Sequence, residues 1–453
     1  MPAFSKVNPM LDRHQRCSRR KFLASAAALT FAGSMGTTSL RAEETKPTAD
    51  YRARPPKLSR EGRKPIAVVT TVYRPLSHSY HIAGRWIYGY GREGQLHVPK
   101  HYVASISVDQ TPDNDLSREI GKEFDIRVSR SVADALTNGT DKLVVDGVLL
   151  IAEHGNYPRN DRGQILYPRY ELMEQIVDVF RKTGKVVPVF NDKHLSYDWD
   201  KAQKMMGWSK DLKFPFMAGS SLPVTWRRPE LELSSGANIE EALVAGYGGI
   251  EIYGFHALET LQVMMERRKG GETGVKAVTV LTGNDVWKAG DAGQWSWDLL
   301  EAAFSRSETL NPGDVRRNAG SIAVGNMPAT PATAYLVEYR DGTRGSCLLL
   351  NGHVQDFTFA AKIKGEAKPA SCMFYLPPPP GAKYFDCLAG NIEKLLENGK
   401  APYPVERTLL TTGTLAAGME SHKNRGARVE TPHLEIRYAA PADSGFFRGN
   451  VAG

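Results

Sequence analysis

Cysteine is scarce in this sequence, with four in 453 residues. Cys17 falls in an N-terminal stretch that reads as a leader, which leaves Cys347, Cys372 and Cys387. Three cysteines make no disulfide framework, and one bridge between two of them is the most that an oxidising compartment would add. There is no C-x-x-C pair and no H-E-x-x-H run, so neither a structural zinc or iron–sulfur site nor a catalytic zinc is expected. His78 and His81 are three apart and share a face if helical, with His97 and His101 downstream, but the set matches no metal-binding arrangement. No apolar run reaches the ~20 residues of a membrane span, and no internal repeat is present. Excess charge is also small once it is located. The net charge is +8, yet residues 1–42 hold seven Lys or Arg against one acidic residue, and the remainder balances 51 basic against 49 acidic residues. A chain that near neutrality gives little reason to expect nucleic acid as a partner.

What is present describes a globular protein, 41% hydrophobic and 24% charged, and long enough for two domains. The leader, SRRKFLASAAALTFAGSMGTTSLRA, joins Arg19-Arg20 to a modest apolar run that ends in small residues near Ala42. That is the form of a twin-arginine signal, over 1–42. It implies recognition by the twin-arginine export machinery, a periplasmic or otherwise exported location in a bacterium, and no stable membrane insertion. Residues 43–64 carry charge and proline without periodicity and read as a flexible spacer.

From 65 to 225 strand and helix alternate. Apolar, β-branched runs at 65–73, 101–110, 146–155, 186–190 and 214–220 suit buried strands, and helical patterns lie between them. The helix at 167–185 places Leu172, Ile176, Val179 and Phe180 on one face and stops at Gly184. Alternation of this kind calls for a parallel sheet covered on both faces, an α/β Rossmann-like domain whose ligands sit beyond the carboxyl ends of the strands. The residues at those ends are Thr71 to His81, Asp109, Glu153, His154 and Asn191 to His194. From 226 to 435 the texture is α+β. It includes alternating stretches around Asp341-Gly342, a strong hairpin signal, and implies a largely antiparallel open sheet. Residues 436–453 read as a tail.

Three segments carry a family resemblance. NDKHLSYDWDKAQKM, beginning at Asn191, resembles the Glu-Lys-Pro segment of the Gfo/Idh/MocA oxidoreductases, with Asp192, Lys193 and His194 in its three places. EIYGFHALE resembles their Asp-x-Gly-x-His-x-x-Asp segment, with Glu251 and Glu259 where Asp is common. The closing IEKLLENGKAPYPVE and AAGMESHKNRGARVE resemble their C-terminal turn and helix. The likeness covers about 65–435. It implies a pyridine nucleotide, NAD or NADP, and a carbohydrate or polyol substrate. It further implies His256 as acid/base, Lys193 beside nicotinamide and substrate, and a homo-oligomer through the C-terminal sheet. On that reading His194, Glu251 and Glu259 serve the substrate, as does Arg227 if the substrate is acidic. Thr71, Arg74, Ser77, Asp109, Glu153, His154 and Lys193 serve the cofactor, Arg74 at a phosphate and Asp109 at a ribose hydroxyl in a manner that favours NAD.

The departure lies at the nucleotide loop. A G-x-G-x-x-G turn lets the backbone reach a pyrophosphate, but Thr70 to Ser79 contains no glycine and Tyr73, Arg74 and Pro75 fill the space with side chains. Two alternatives therefore stay open beside the oxidoreductase. One is a carbohydrate-binding or scaffolding protein that has lost the cofactor. The other is a lyase that uses Lys193 and His256 without dinucleotide.

Overall fold

The structure is a computed structural model that describes residues 57–323 and 329–449. The expected twin-arginine leader lies outside the described residues, as does the expected spacer up to residue 56. Residues from 57 onward are tied to the body. Arg60 Nη2 donates to the Phe124 and Asp125 carbonyls at 2.6 and 2.8 Å, and Arg63 Nη2 to those of Trp86 and His101 at 2.8 and 2.5 Å. The spacer character thus does not extend to 64, where the first strand begins.

Six strands form a wholly parallel sheet: β1 (Lys64–Thr70), β2 (His101–Val108), β3 (Arg127–Ser129), β4 (Val148–Ile151), β5 (Val189–Asp192) and β6 (Phe216–Gly219). Their order is β3-β2-β1-β4-β5-β6, the doubly wound order of dinucleotide-binding folds. The strands are apolar runs because helices cover both faces, and Ile66 to Val69 and Val148 to Ile151 are fully buried. The helix Arg169–Thr183 buries Leu172, Ile176, Val179 and Phe180 as its spacing requires, and ends on Gly184 in the left-handed region, φ 65°. β5 starts later than its apolar run suggests. Pro188 has no N–H for the ladder, and pairing runs instead through Asn191 and Asp192, which leaves Lys193 as the first residue past the strand.

The second sheet has eight strands: β7 (Trp226–Arg228), β8 (Ile239–Gly246), β9 (Val275–Thr282), β10 (Thr333–Tyr339), β11 (Arg344–Leu349), β12 (Phe357–Ile363), β13 (Ala370–Tyr375) and β14 (Val429–Glu430). The order is β14-β9-β10-β11-β8-β12-β13-β7. Among the described pairings β8–β11 alone is parallel. The β10–β11 hairpin turns at Asp341-Gly342, where Gly342 takes φ 88°.

One face of this sheet packs Val244, Val280 and Phe359 against Phe255, Leu261, Leu410 and Leu415 of the helices Ile252–Met265 and Glu406–Lys423. On the other face Leu243, Ala245, Leu348 and Leu350 lie under Val286, Trp295, Leu299 and Leu300, carried largely by the helices Asn284–Asp291 and Trp297–Phe304.

The described residues fall in one compact unit. The helix Tyr384–Asn398 leaves the second sheet and clusters Phe385, Leu388, Ile392 and Leu395 with Ile66 and Val68 of the first, with Tyr73 of the loop after β1 and with Ile82 of the helix that follows it. The tail expected from 436 is also built into the body. Arg267 donates to the Pro441 and Ala442 carbonyls at 3.0 Å each, and Arg227 holds Ser444 Oγ at 2.8 Å. Cys347, Cys372 and Cys387 are buried and free, so the optional bridge is not formed. No described helix is long and apolar enough to cross a membrane.

Candidate active site

The site grows from the carboxyl end of β5. Lys193 leaves the strand at φ 69° and its N–H bonds the Gly219 carbonyl at 3.2 Å. That turn directs the ammonium inward, and the residue is only 3% exposed. Nζ hydrogen-bonds His256 Nε2. On the far side of the ring Nδ1 lies 3.0 Å from Ser220 Oγ, which in turn donates to Glu259 Oε2. The Ser220 N–H reaches Glu259 Oε1 at 2.9 Å. Since the Ser220 hydroxyl donates to the carboxylate, it accepts from Nδ1–H, and Nε2 is left to accept from the lysine. The polarity is therefore consistent from Lys193 through His256 and Ser220 to Glu259. Gly219 is part of this arrangement, because a Cβ there would come within 2.8 Å of Glu259 Oε1.

Burial decides the protonation states. It pushes the Lys193 ammonium below its ordinary value, with Glu153, Asp192 and Glu259 opposing. It holds the His256 imidazole well below its ordinary value, with the Lys193 charge adding to the effect. It raises the Glu259 carboxyl to about 7 against the Ser220 hydrogen bonds. Burial thus favours the neutral forms of both groups, which suits a pair that exchanges a proton.

Glu153 and Arg169 lie beneath. Both are buried, they form an ion pair, and Arg169 Nη1 donates to His194 Nε2 at 3.2 Å. Burial alone would raise the Glu153 carboxyl, but the Arg169 and Lys193 charges bring it down to about 2. Thr71 Oγ1 donates to the Glu153 carbonyl at 2.9 Å.

These groups border a cavity of about 260 Å³. His78, Glu153, His154, Lys193 and His256 form its polar wall, while Tyr253, Phe357 and Phe385 supply apolar surface. It lies just below the range of about 300–1,000 Å³ usual for small-molecule sites. A larger cleft of about 620 Å³, by Trp226, Lys394 and Phe446, contains none of the expected site residues.

One pair was missed from the sequence. His78 Nδ1 lies 2.6 Å from Asp192 Oδ2, and the Asp192 side chain is wholly buried. The partners are 114 residues apart, and no local pattern announces the contact.

Of the expected site residues, Lys193, His256, Glu153 and His154 share the cavity, and Glu259 stands behind His256. His194 is not in the lining and packs edge-on to Phe255 at 5.4 Å. Glu251 faces another loop and accepts from the Ile165 N–H at 3.0 and 3.1 Å. Burial raises its carboxyl to about 7. Arg227 lies between the Phe374 and Phe446 rings, 5.1 and 4.2 Å from their centroids, and holds the C-terminal segment through Ser444.

The groove for a dinucleotide can be tested group by group. Ser77 caps the helix His78–Tyr88. Its hydroxyl accepts from Tyr80 N at 3.3 Å and donates to the Arg74 carbonyl at 2.8 Å. Arg74 reaches only its neighbour Pro75, at 3.3 Å. Tyr73 is core, and its carbonyl accepts from Leu116 N at 2.8 Å, closing the loop after β1 onto the loop after β2. Asp109 Oδ2 already accepts from Tyr157 OH at 2.5 Å. Gln110 and Asn156 exchange hydrogen bonds of 2.9 and 3.1 Å. Residues 152–157 thus run from the end of β4 to the end of β2 and pass the end of β1 that lies between them. Ser77 and one oxygen of Asp109 are thus engaged within the chain, while the Arg74 guanidinium is held only by its own neighbour.

Among the described residues, no three His, Cys, Asp or Glu side chains gather where they would hold a metal ion. No family model and no curated protein matches the sequence. Solved structures do match in fold. GenD2 from gentamicin A biosynthesis, solved in complex with NAD, superposes with a TM-score of 0.52 at 12% identity, covering 83% of this chain and 99% of its own. An oxidoreductase from Agrobacterium radiobacter, solved with NAD+, L-tartaric acid and magnesium, gives 0.50 at 12% identity, covering 81% and 98%. At these identities the likeness is one of fold, a Rossmann-like parallel sheet joined to a largely antiparallel α+β half.

Proposed function

We propose that the cavity is the active site of an enzyme acting on a carbohydrate or polyol, in which Lys193 and His256 exchange a proton with the substrate. The observation that carries this reading is the buried run from Lys193 through His256 and Ser220 to Glu259 at the cavity wall. Burying such groups costs several kcal/mol, and clefts that retain them are characteristically functional. Tyr253 and Phe357 offer flat apolar surface to the C–H face of a sugar, while His154 and Glu153 present polar groups to its hydroxyls.

Fold likeness supports a general oxidoreductase ancestry. A tightly held NAD or NADP draws its support from that likeness alone, since Asp109 and Ser77 are already engaged. Residues 19–42 support export, with the twin-arginine machinery as partner.

The test is ligand titration by NMR with a panel of polyols and sugar acids, followed by turnover of those that bind. Lys193→Met and His256→Ala should each lower turnover by about 100- to 10,000-fold, the usual worth of a general acid or base, while ligand binding persists. Turnover that survives both substitutions would overturn the assignment.

A further inference from the structure

Two separate proton-handling pairs border the same cavity, one more than removal of a single hydroxyl proton requires. The first is Lys193–His256. The second is His78, whose Nδ1 is given to Asp192 at 2.6 Å. Asp192 is completely buried and its other oxygen, Oδ1, has no partner. The imidazole is further held between His154 and Phe385, with ring centroids 5.2 and 5.1 Å away. A carboxylate that fixes Nδ1 leaves Nε2 as the exchanging nitrogen, the arrangement by which an Asp orients an acid/base histidine. Independently, the loop 152–157 engages Asp109, the residue placed for a ribose hydroxyl, through Tyr157, and Gln110 beside it through Asn156.

We propose that His78, oriented by Asp192, is a second catalytic acid/base, and that with Lys193–His256 it removes water from a sugar acid or keto sugar without a dinucleotide. This rests on the cavity being the active site. A proton leaves the carbon next to the carbonyl for the Lys193–His256 pair, in its state with a neutral amine. The electron pair forms a carbon–carbon double bond as the β carbon–oxygen bond breaks. The hydroxyl departs as water with a proton from His78 Nε2. One proton is taken and one given, and no external oxidant or reductant enters. A hydroxyl β to a carbonyl or carboxylate is therefore the recognition element of the substrate class.

The test incubates the full mature protein, without nucleotide, with D-fructose, D-glucuronate and D-gluconate in D2O and follows 1H NMR. At least one probe should lose its α-proton signal and yield a dehydrated product. His78→Asn should cut product formation at least 100-fold while α-proton exchange continues. Asp192→Asn, a smaller change, should cut it about 10-fold and displace the pH profile, with near-UV circular dichroism confirming the fold of both. Undiminished product with His78→Asn would overturn the role of His78 and leave the active-site reading standing. Turnover that appears only when NAD+ is added would overturn elimination, again leaving that reading intact. No reaction of any probe would overturn the proposal. Probe binding in the cavity would then show that the active-site reading had not failed with it.

Discussion

Glu259 shows how one residue can be both a part of the site and a burden on the fold. It is 1% exposed, has no cationic partner in direct contact, and is stabilised by two donors from Ser220. Its carboxyl stands at about 7 in the folded protein against an ordinary 4.5. The folded state therefore favours the protonated form. Its contribution is fully present below about pH 4.5 and is lost as pH rises through about 7. Glu153 has the opposite sign, since its value of about 2 places its effect below this window. Glu259→Gln removes the titration and keeps the shape. Urea unfolding at pH 5 and pH 8 should show the wild type losing stability relative to the variant, on the order of 1–3 kcal/mol, as a tenfold change in acidity is about 1.4 kcal/mol. Equal behaviour of the two proteins across that range would mean that Glu259 is ionised throughout.

At the scale of elements, the sequence was legible where burial is one-sided or complete over a short strand. The alternation at 65–220 named five of the six strands of the parallel sheet, because strands covered on both faces must be apolar runs; the edge strand β3, three residues long and with Arg127 exposed, leaves no such run. The helix Glu406–Lys423 escaped a reading by periodicity. Its consecutive residues Arg407 to Leu415 are nearly all buried, so no polar face marks it. Arg227 stood between a contact for an acidic substrate and a salt-bridged residue, and in the structure it pairs with Glu232 at 3.2 Å. A charged residue at a junction suggests a ligand, but here the guanidinium holds the returning segment through Ser444 and the Phe446 ring. Arg227→Met should release residues 436–449. Limited trypsin digestion should then cut at Arg437 or Arg448 at least 10-fold faster than in the wild type, and an unchanged rate would refute the clamp.

For the molecule as a whole, the parts that make the site come from distant stretches of chain. Lys193 and His256 were legible because each sits in a segment with a recognisable neighbourhood. His78–Asp192 and Tyr157–Asp109 were not, since a hydrogen bond between residues 114 or 48 positions apart leaves no periodic trace. The helix at 384–398 was legible as a helix, but the same distance effect concealed its partner, since it follows the second sheet in sequence yet completes the core of the first. A Rossmann-like order of strands therefore coexists with a loop at 152–157 that is tied to the end of β2 through Asp109 and Gln110. The proposal of a carbohydrate site that works without dinucleotide is tested most directly by native mass spectrometry of the protein as purified and again with excess NAD+ or NADH. The account predicts the bare polypeptide mass in both spectra. A stoichiometric mass gain matching NAD or NADP in either would contradict it.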